Sequence, residues 1–203
     1  FSFDLSGSMN EADMASGRRK ADVQRDCALL FIDSIIQCAY VSRQNAQAPD
    51  SLPIQIMVTL ASATGKIGLP LTLKWVPKEQ WAMYSGLTQM ASGGTPTHQT
   101  LQLIQKSMSE ELKRIEKKKV LPHLRPIHYV AEISDGAPDD EDKVEQLHKE
   151  LKRQGAVVRS YVIGGISSSI DSAPPITSFS DLPRILADDV ITQFKKLNPH
   201  TIV

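Results

Sequence analysis

The sequence predicts an α/β fold: a doubly wound, mainly parallel six-stranded sheet with helices on both faces. Three observations carry this. Short apolar runs alternate with longer segments whose apolar residues recur at three-, four- and seven-residue spacing, so strands alternate with helices. Two of the short runs stop at an aspartate, in Asp4-Leu-Ser6 and Ser134-Asp135-Gly136, where the strands of an open sheet would end in ligand-binding loops. Finally, no internal repeat and no linker divides the 203 residues, a length that suits one large domain spanning 1–203.

The first strand ends at Asp4. It is short for a central strand, so the chain reads as a piece of a longer protein whose first strand is cut back. A helix over roughly 19–40 carries Val23, Cys27, Leu30, Phe31, Ile35 and Cys38 as a buried stripe. Strands over 54–60 and 69–76 flank a Thr64-Gly65-Lys66 turn, and together they read as a hairpin with the second strand antiparallel at one edge. A helix over 78–90 presents Trp81, Tyr84 and Leu87. Pro96 suits the first turn of the next helix, about 97–118, which buries Leu101, Ile104, Met108, Leu112 and Ile115. It closes on Lys117-Lys-Lys119, a basic run placed at the negative end of the helix dipole. A strand over 127–133 leads to a helix over 139–153 with Val144, Leu147 and Leu151 inward and Gly155 as its stop. The strand 156–163 follows. Segment 167–180 is Ser- and Pro-rich and carries no clear period. The last helix, 181–197, has Leu182, Ile185, Leu186, Val190, Phe194 and Leu197 on one face.

Composition excludes several classes. Lysine plus arginine equals aspartate plus glutamate at 23 each, so no broadly basic surface points to nucleic acid. No apolar run is long enough to span a bilayer. The two cysteines, Cys27 and Cys38, share one helix about 16 Å apart. A disulfide needs Cα atoms within about 7 Å, so they do not pair with each other and read as small buried hydrophobes. No Asn-x-Ser/Thr sequon occurs. Both features lean towards a reducing, cytoplasmic setting, with an extracellular or cell-surface one as the alternative.

Asp4-Leu-Ser6-Gly7-Ser8 places one carboxylate and two hydroxyls at alternate positions, with a glycine that permits a sharp turn. Its plain structural reading is a helix cap. Its chemical reading is a hard-cation site, because Mg²⁺ takes oxygen ligands in octahedral array. If the first strand and the Asp135 strand are neighbours, three loops converge: Asp4-Ser6-Ser8, Gly94-Thr95 and Asp135-Gly136. Two carboxylates and three hydroxyls then form an oxygen-only set suited to Mg²⁺ or Mn²⁺.

Asp4-x-Ser6-x-Ser8, a distant Thr95 after paired glycines, and a later Ser-Asp135-Gly together resemble the metal-ion-dependent adhesion site of von Willebrand factor A domains. The resemblance covers essentially the whole chain, including the Tyr161-Val-Ile-Gly-Gly165 strand end. It implies a Rossmann-like three-layer fold, an Mg²⁺ or Mn²⁺ cofactor, and binding rather than catalysis. Ser6, Ser8 and Thr95 would coordinate through hydroxyls, and Asp4 and Asp135 directly or through water. A protein partner would supply an Asp or Glu carboxylate to the open position. Gly7, Met9, Asn10, Gly94 and Gly136 would form the rim it meets.

The rival class is a metal-dependent hydrolase or phosphatase using the same oxygens. A haloacid-dehalogenase-type phosphatase needs a second acid two residues after its aspartate, where Ser6 stands. A phosphate loop fails because Leu60 and Ile67 replace its glycine and its hydroxyl residue. No Gly-x-Ser-x-Gly elbow occurs. A general base would have to be His98, which reads as a surface residue on a helix's first turn. His123 and His128 read as strand-entry residues. The acidic run Asp139-Asp-Glu-Asp142 reads as a helix cap that could also make the rim negative.

Overall fold

The computed structural model describes residues 1–45, 55–72, 76–121, 125–163 and 176–197. Among them five strands form one sheet: β1 (Ser2–Asp4), β2 (Ile56–Ala61), β3 (Gly65–Thr72), β4 (Tyr129–Ser134) and β5 (Val157–Val162). Their order is β3-β2-β1-β4-β5. All neighbours run parallel except β2 and β3, which pair as the expected antiparallel hairpin at one edge. The ladder runs further towards the turn than the sequence indicated. Ala61 pairs with Gly65 and Leu60 with Lys66, so the turn is Ser62–Thr64 and the edge strand starts at Gly65 rather than 69. A sixth strand is not among the described residues. Ile163 and Ile176 form an isolated parallel bridge, and most of segment 167–180 lies outside the described residues.

Three residues suffice for β1 because it is paired on both sides. Phe3 lies opposite Leu60 in β2 and Ile133 in β4, and it is 1% exposed. From β1 the chain crosses to β2 on one side and later reaches β4 on the other, so the switch in strand order falls between β1 and β4.

Among the described residues five helices cover the sheet: α1 (Lys20–Asn45), α2 (Pro77–Leu87), α3 (Thr97–Lys117), α4 (Glu141–Arg153) and α5 (Leu182–Leu197). Side chains alternate across a strand, and the core divides accordingly. Phe31, Ile32, Met83, Leu87, Leu182 and Leu186 pack with Phe3, Val58 and Ile133 on one face. Leu101, Ile104, Met108, Val144, Leu147 and Leu151 pack with Met57, Val130 and Val158 on the other. This is the expected three-layer, doubly wound arrangement. At about 25 cal/mol per Å² of buried apolar area, these two clusters supply most of the driving force for folding.

Two stripes differ in part from their expected positions. On α1 Val23 and Phe31 are buried as expected and Ala28, Ile32 and Ile36 join them, but Leu30 is 62% exposed. On α2 Met83 and Leu87 point inward, while Trp81 stacks on Tyr84 at the surface with ring centroids 5.5 Å apart. Arg25 of α1 lies 5.0 Å over the Tyr84 ring, so that surface pair still ties α1 to α2. Cys27 is a half-buried free thiol whose S–H donates to the Phe179 carbonyl at 3.3 Å. Burial pushes its pKa up to about 11, with the Asp26 charge adding. The Cys38 side chain and His123 lie outside the described residues.

Candidate metal centre

Asp4 closes β1, and the chain then turns through a short 3-10 segment, Gly7–Asn10. The Ser6 N–H donates to Asp4 Oδ1 at 2.7 Å, which folds the loop back over the strand end. Ser6 Oγ and Ser8 Oγ lie 3.0 Å apart, and Ser8 Oγ donates to Asp135 Oδ1 at 2.8 Å. Asp135 follows β4 directly. The parallel pairing of β1 with β4 thus brings the first and third candidate loops into contact.

The middle loop is laced to the first through backbone. The Gly7 N–H donates to the Gly93 carbonyl at 3.0 Å and the Ser92 N–H to the Leu5 carbonyl at 2.9 Å. Asn10 Nδ2 donates to the Ala91 carbonyl at 2.7 Å. Gly93 has φ +75°, and a Cβ there would lie 2.6 Å from Ala63 Cα, so both conformation and space require glycine. Asp139 closes the arrangement. Its Oδ1 accepts from the Thr95 N–H at 2.8 Å, and its own N–H donates to the Thr95 carbonyl at 3.1 Å. Thr95 itself is 8% exposed.

The electrostatics centre on Asp4, which is 2% exposed. Its Oδ2 is buried with no hydrogen-bond partner among the described residues. Desolvation is the main reason its pKa is raised to about 6; the Asp135 charge adds to this, and the Ser6 hydrogen bonds oppose it. Gln24 of α1, fully buried, donates Nε2 to the Asp4 carbonyl at 2.7 Å. Lys20, the first residue of α1, reaches Asp135 Oδ2 at 2.7 Å and Glu11 Oε2 at 2.8 Å. Burial works against the Lys20 charge, but the bonds to Asp135 and Glu11 outweigh it and hold the ammonium above the usual lysine range.

Asp4, Ser6, Ser8 and Asp135 come together because β1 and β4 are neighbours, and Thr95 stands on the adjoining loop. Gly7 and Gly94 are exposed at the rim, Gly136 is half-buried with open space around its Cα, and Asn10 is exposed but ties the loops together. Met9 corrects the expectation. It is 0% exposed and belongs to the core, because the 3-10 turn points its side chain under the loop. Three residues escaped sequence reading. Asp139 stood in an acidic run that reads as a helix cap, and only Asp140 has that role, accepting from the Lys143 N–H. Lys20 and Gln24 sat on a helix with no spacing to mark them.

No three His, Cys, Asp or Glu side chains converge as a metal cluster among the described residues. The candidate set is of another kind, two carboxylates with serine hydroxyls and a threonine. A buried, unpartnered carboxylate oxygen beside those hydroxyls is what a hard cation would satisfy, so the residues fit a divalent ion with oxygen ligands. No described helix is long and apolar enough to cross a membrane.

No family model matches the chain, and no curated protein matches it. Solved structures do. A von Willebrand factor type A protein from Catenulispora acidiphila aligns with TM-score 0.58 at 13% identity, over 93% of this chain and 40% of its own. The conserved hypothetical protein BatB from Bacteroides thetaiotaomicron aligns with TM-score 0.61 at 10% identity, over 96% and 97%. Proximal thread matrix protein 1 from the mussel byssus, described with a zinc-occupied MIDAS motif, aligns with TM-score 0.59 at 17% identity, over 95% and 44%. The chain thus spans less than half the length of the first and third of these proteins. Strand order, the two-faced helical cover and these likenesses agree on one conclusion: the chain adopts the fold of von Willebrand factor A domains.

Proposed function

We propose that the domain is a protein–protein interaction module that depends on a divalent metal, Mg²⁺ or Mn²⁺, and is not itself an enzyme. The observation that carries this reading is the buried, unpartnered Oδ2 of Asp4, set beside the Ser6, Ser8 and Asp135 oxygens at the sheet's switch point. The mussel protein with a zinc-occupied site on the same fold supports it.

In this reading Asp4, Ser6, Ser8, Thr95 and Asp135 hold the ion. When bound, the ion supplies an electrophilic position that a partner's Asp or Glu carboxylate can fill. The chain's own residues do the rest. Ser6 folds the loop so that its hydroxyl and that of Ser8 face one way. Asp139 fixes the backbone at Thr95 and so the height of the middle loop. Gly7, Gly94 and Gly136 keep the rim low enough for a partner side chain to approach, and Asn10 braces it. With two carboxylates against a doubly charged ion, binding of metal alone is weak and coupled positively to partner, typically by 1–3 kcal/mol.

The test is titration of a partner, found by Mg²⁺-dependent capture, into wild type with Mg²⁺, wild type with chelator, and Asp4→Ala. Binding is expected only in the first case. Ser6→Ala with Ser8→Ala should also abolish it and Thr95→Ala should weaken it less, with all variants folded. Equal affinity throughout would exclude the metal from recognition.

A further inference from the structure

We propose that Lys20 is a resident counter-cation of this centre, which a divalent ion must displace from Asp135, and that Glu11 is the carboxylate that keeps it. The inference rests on the metal reading above. The Asp135 side chain is only 4% exposed, and both its oxygens are engaged, Oδ1 by Ser8 and Oδ2 by Lys20. The ammonium therefore sits on one of the two carboxylates offered to the ion. Helix physics does not account for a cation there, because the first position of α1 is at the positive end of the helix dipole. The two carboxylates account for it.

Glu11 differs from Asp135 in two ways. Its side chain is 69% exposed, so it is a solvated acceptor outside the centre. Its carbonyl also accepts from the Lys20 N–H at 2.9 Å, which holds the two residues side by side whatever the metal loops do. Lys20 can give up Asp135 and retain Glu11 with a small swing of its side chain. An ammonium and a divalent ion repel each other too strongly to share one carboxylate, so loading the ion costs the ammonium its charge-assisted bond to Asp135, about tenfold in affinity. Lys20 thus sets a threshold for metal loading. In the metal-free protein it neutralises Asp135 and keeps the first and third loops joined.

The experiment is Mn²⁺ titration followed by the spin-resonance signal of the free ion, on wild type, Lys20→Met, Glu11→Gln and the double variant, at one pH and ionic strength. Lys20→Met should bind Mn²⁺ about tenfold more tightly. Glu11→Gln should bind several-fold more weakly, and that loss should vanish in the Lys20→Met background if Glu11 acts through the lysine. A lysine with a purely structural role would leave affinity unchanged or lower it, and either result for folded Lys20→Met overturns the proposal. If Lys20→Met does not fold, Glu11→Gln decides alone: weaker binding supports the exchange and unchanged binding overturns it. If wild type binds Mn²⁺ and Lys20→Met binds no more tightly, only this inference falls. If neither binds at millimolar ion, the metal reading falls with it.

Discussion

At the scale of the residue, Asp4 concentrates the cost of the site. A carboxylate 2% exposed, with one oxygen unpartnered among the described residues, is tolerated only because it can hold a proton or a cation. In the metal-free protein the folded state keeps the proton up to about pH 6, while an unfolded chain releases it near 3.8. The stability contributed by this group is therefore full below about pH 4 and is lost as pH rises through about 6, by up to about 3 kcal/mol. Urea unfolding in chelator across that window should show the decline in wild type, and Asp4→Asn should flatten it. Identical slopes in the two proteins would remove Asp4 as the cause. The identity of this residue was legible because strand, Asp, Ser and Ser fall at fixed offsets. Lys20 was not, since its role arises from a contact with Asp135 across 115 residues, and no local pattern encodes that.

At the scale of the element, the middle loop is the most constrained. Gly93→Ala must place a Cβ against Ala63 backbone at positive φ, and should destabilise the domain by about 3 kcal/mol. Gly94→Ala first meets the Asp139 carboxylate, 2.5 Å away, which can swing aside. It should cost less than about 1 kcal/mol of stability yet free Thr95 from Asp139 and weaken metal binding. Thermal unfolding and Mn²⁺ titration of the two variants separate these effects, and equal losses of stability would contradict the assignment. The sequence marked this loop by its paired glycines but not its clamp. Period alone also misplaced the stripes of α1 and α2. Val23, Phe31 and Leu87 lie inward as the period indicated, but Leu30 and Trp81 fit the same period and are exposed, and packing against the sheet selected Ile32 and Met83 instead. The α3 and α4 faces were legible because, Leu103 aside, polar residues fill the remaining positions there, leaving one choice of inward side.

At the scale of the whole molecule, the last helix is anchored by a polar cluster. Asp189 of α5 accepts from Arg159 Nε at 2.7 Å, from the Tyr161 hydroxyl at 2.7 Å and from Tyr129 at 3.2 Å. Burial pushes both phenols well above their usual range. Burial also opposes the Asp189 charge, but Arg159 and Tyr161 outweigh it and lower its pKa. Asp189→Ala strands the Arg159 charge and should cost about 3 kcal/mol, measured by denaturant unfolding; a loss under about 0.5 kcal/mol would show that the cluster does not anchor α5. The fold class was legible because alternating strands and helices leave few topologies, but the cluster was not, because its members come from three elements. The pairing of β1 with β4 has a kinetic consequence. Ser8 and Asp135 lie 127 residues apart, so their meeting closes one of the longest loops in the chain. Such contacts are entropically late and slow to form. A partly folded or nascent chain that has not yet docked its third loop has no centre to offer, so under the proposed metal reading capture of an ion would double as a certificate of completed folding.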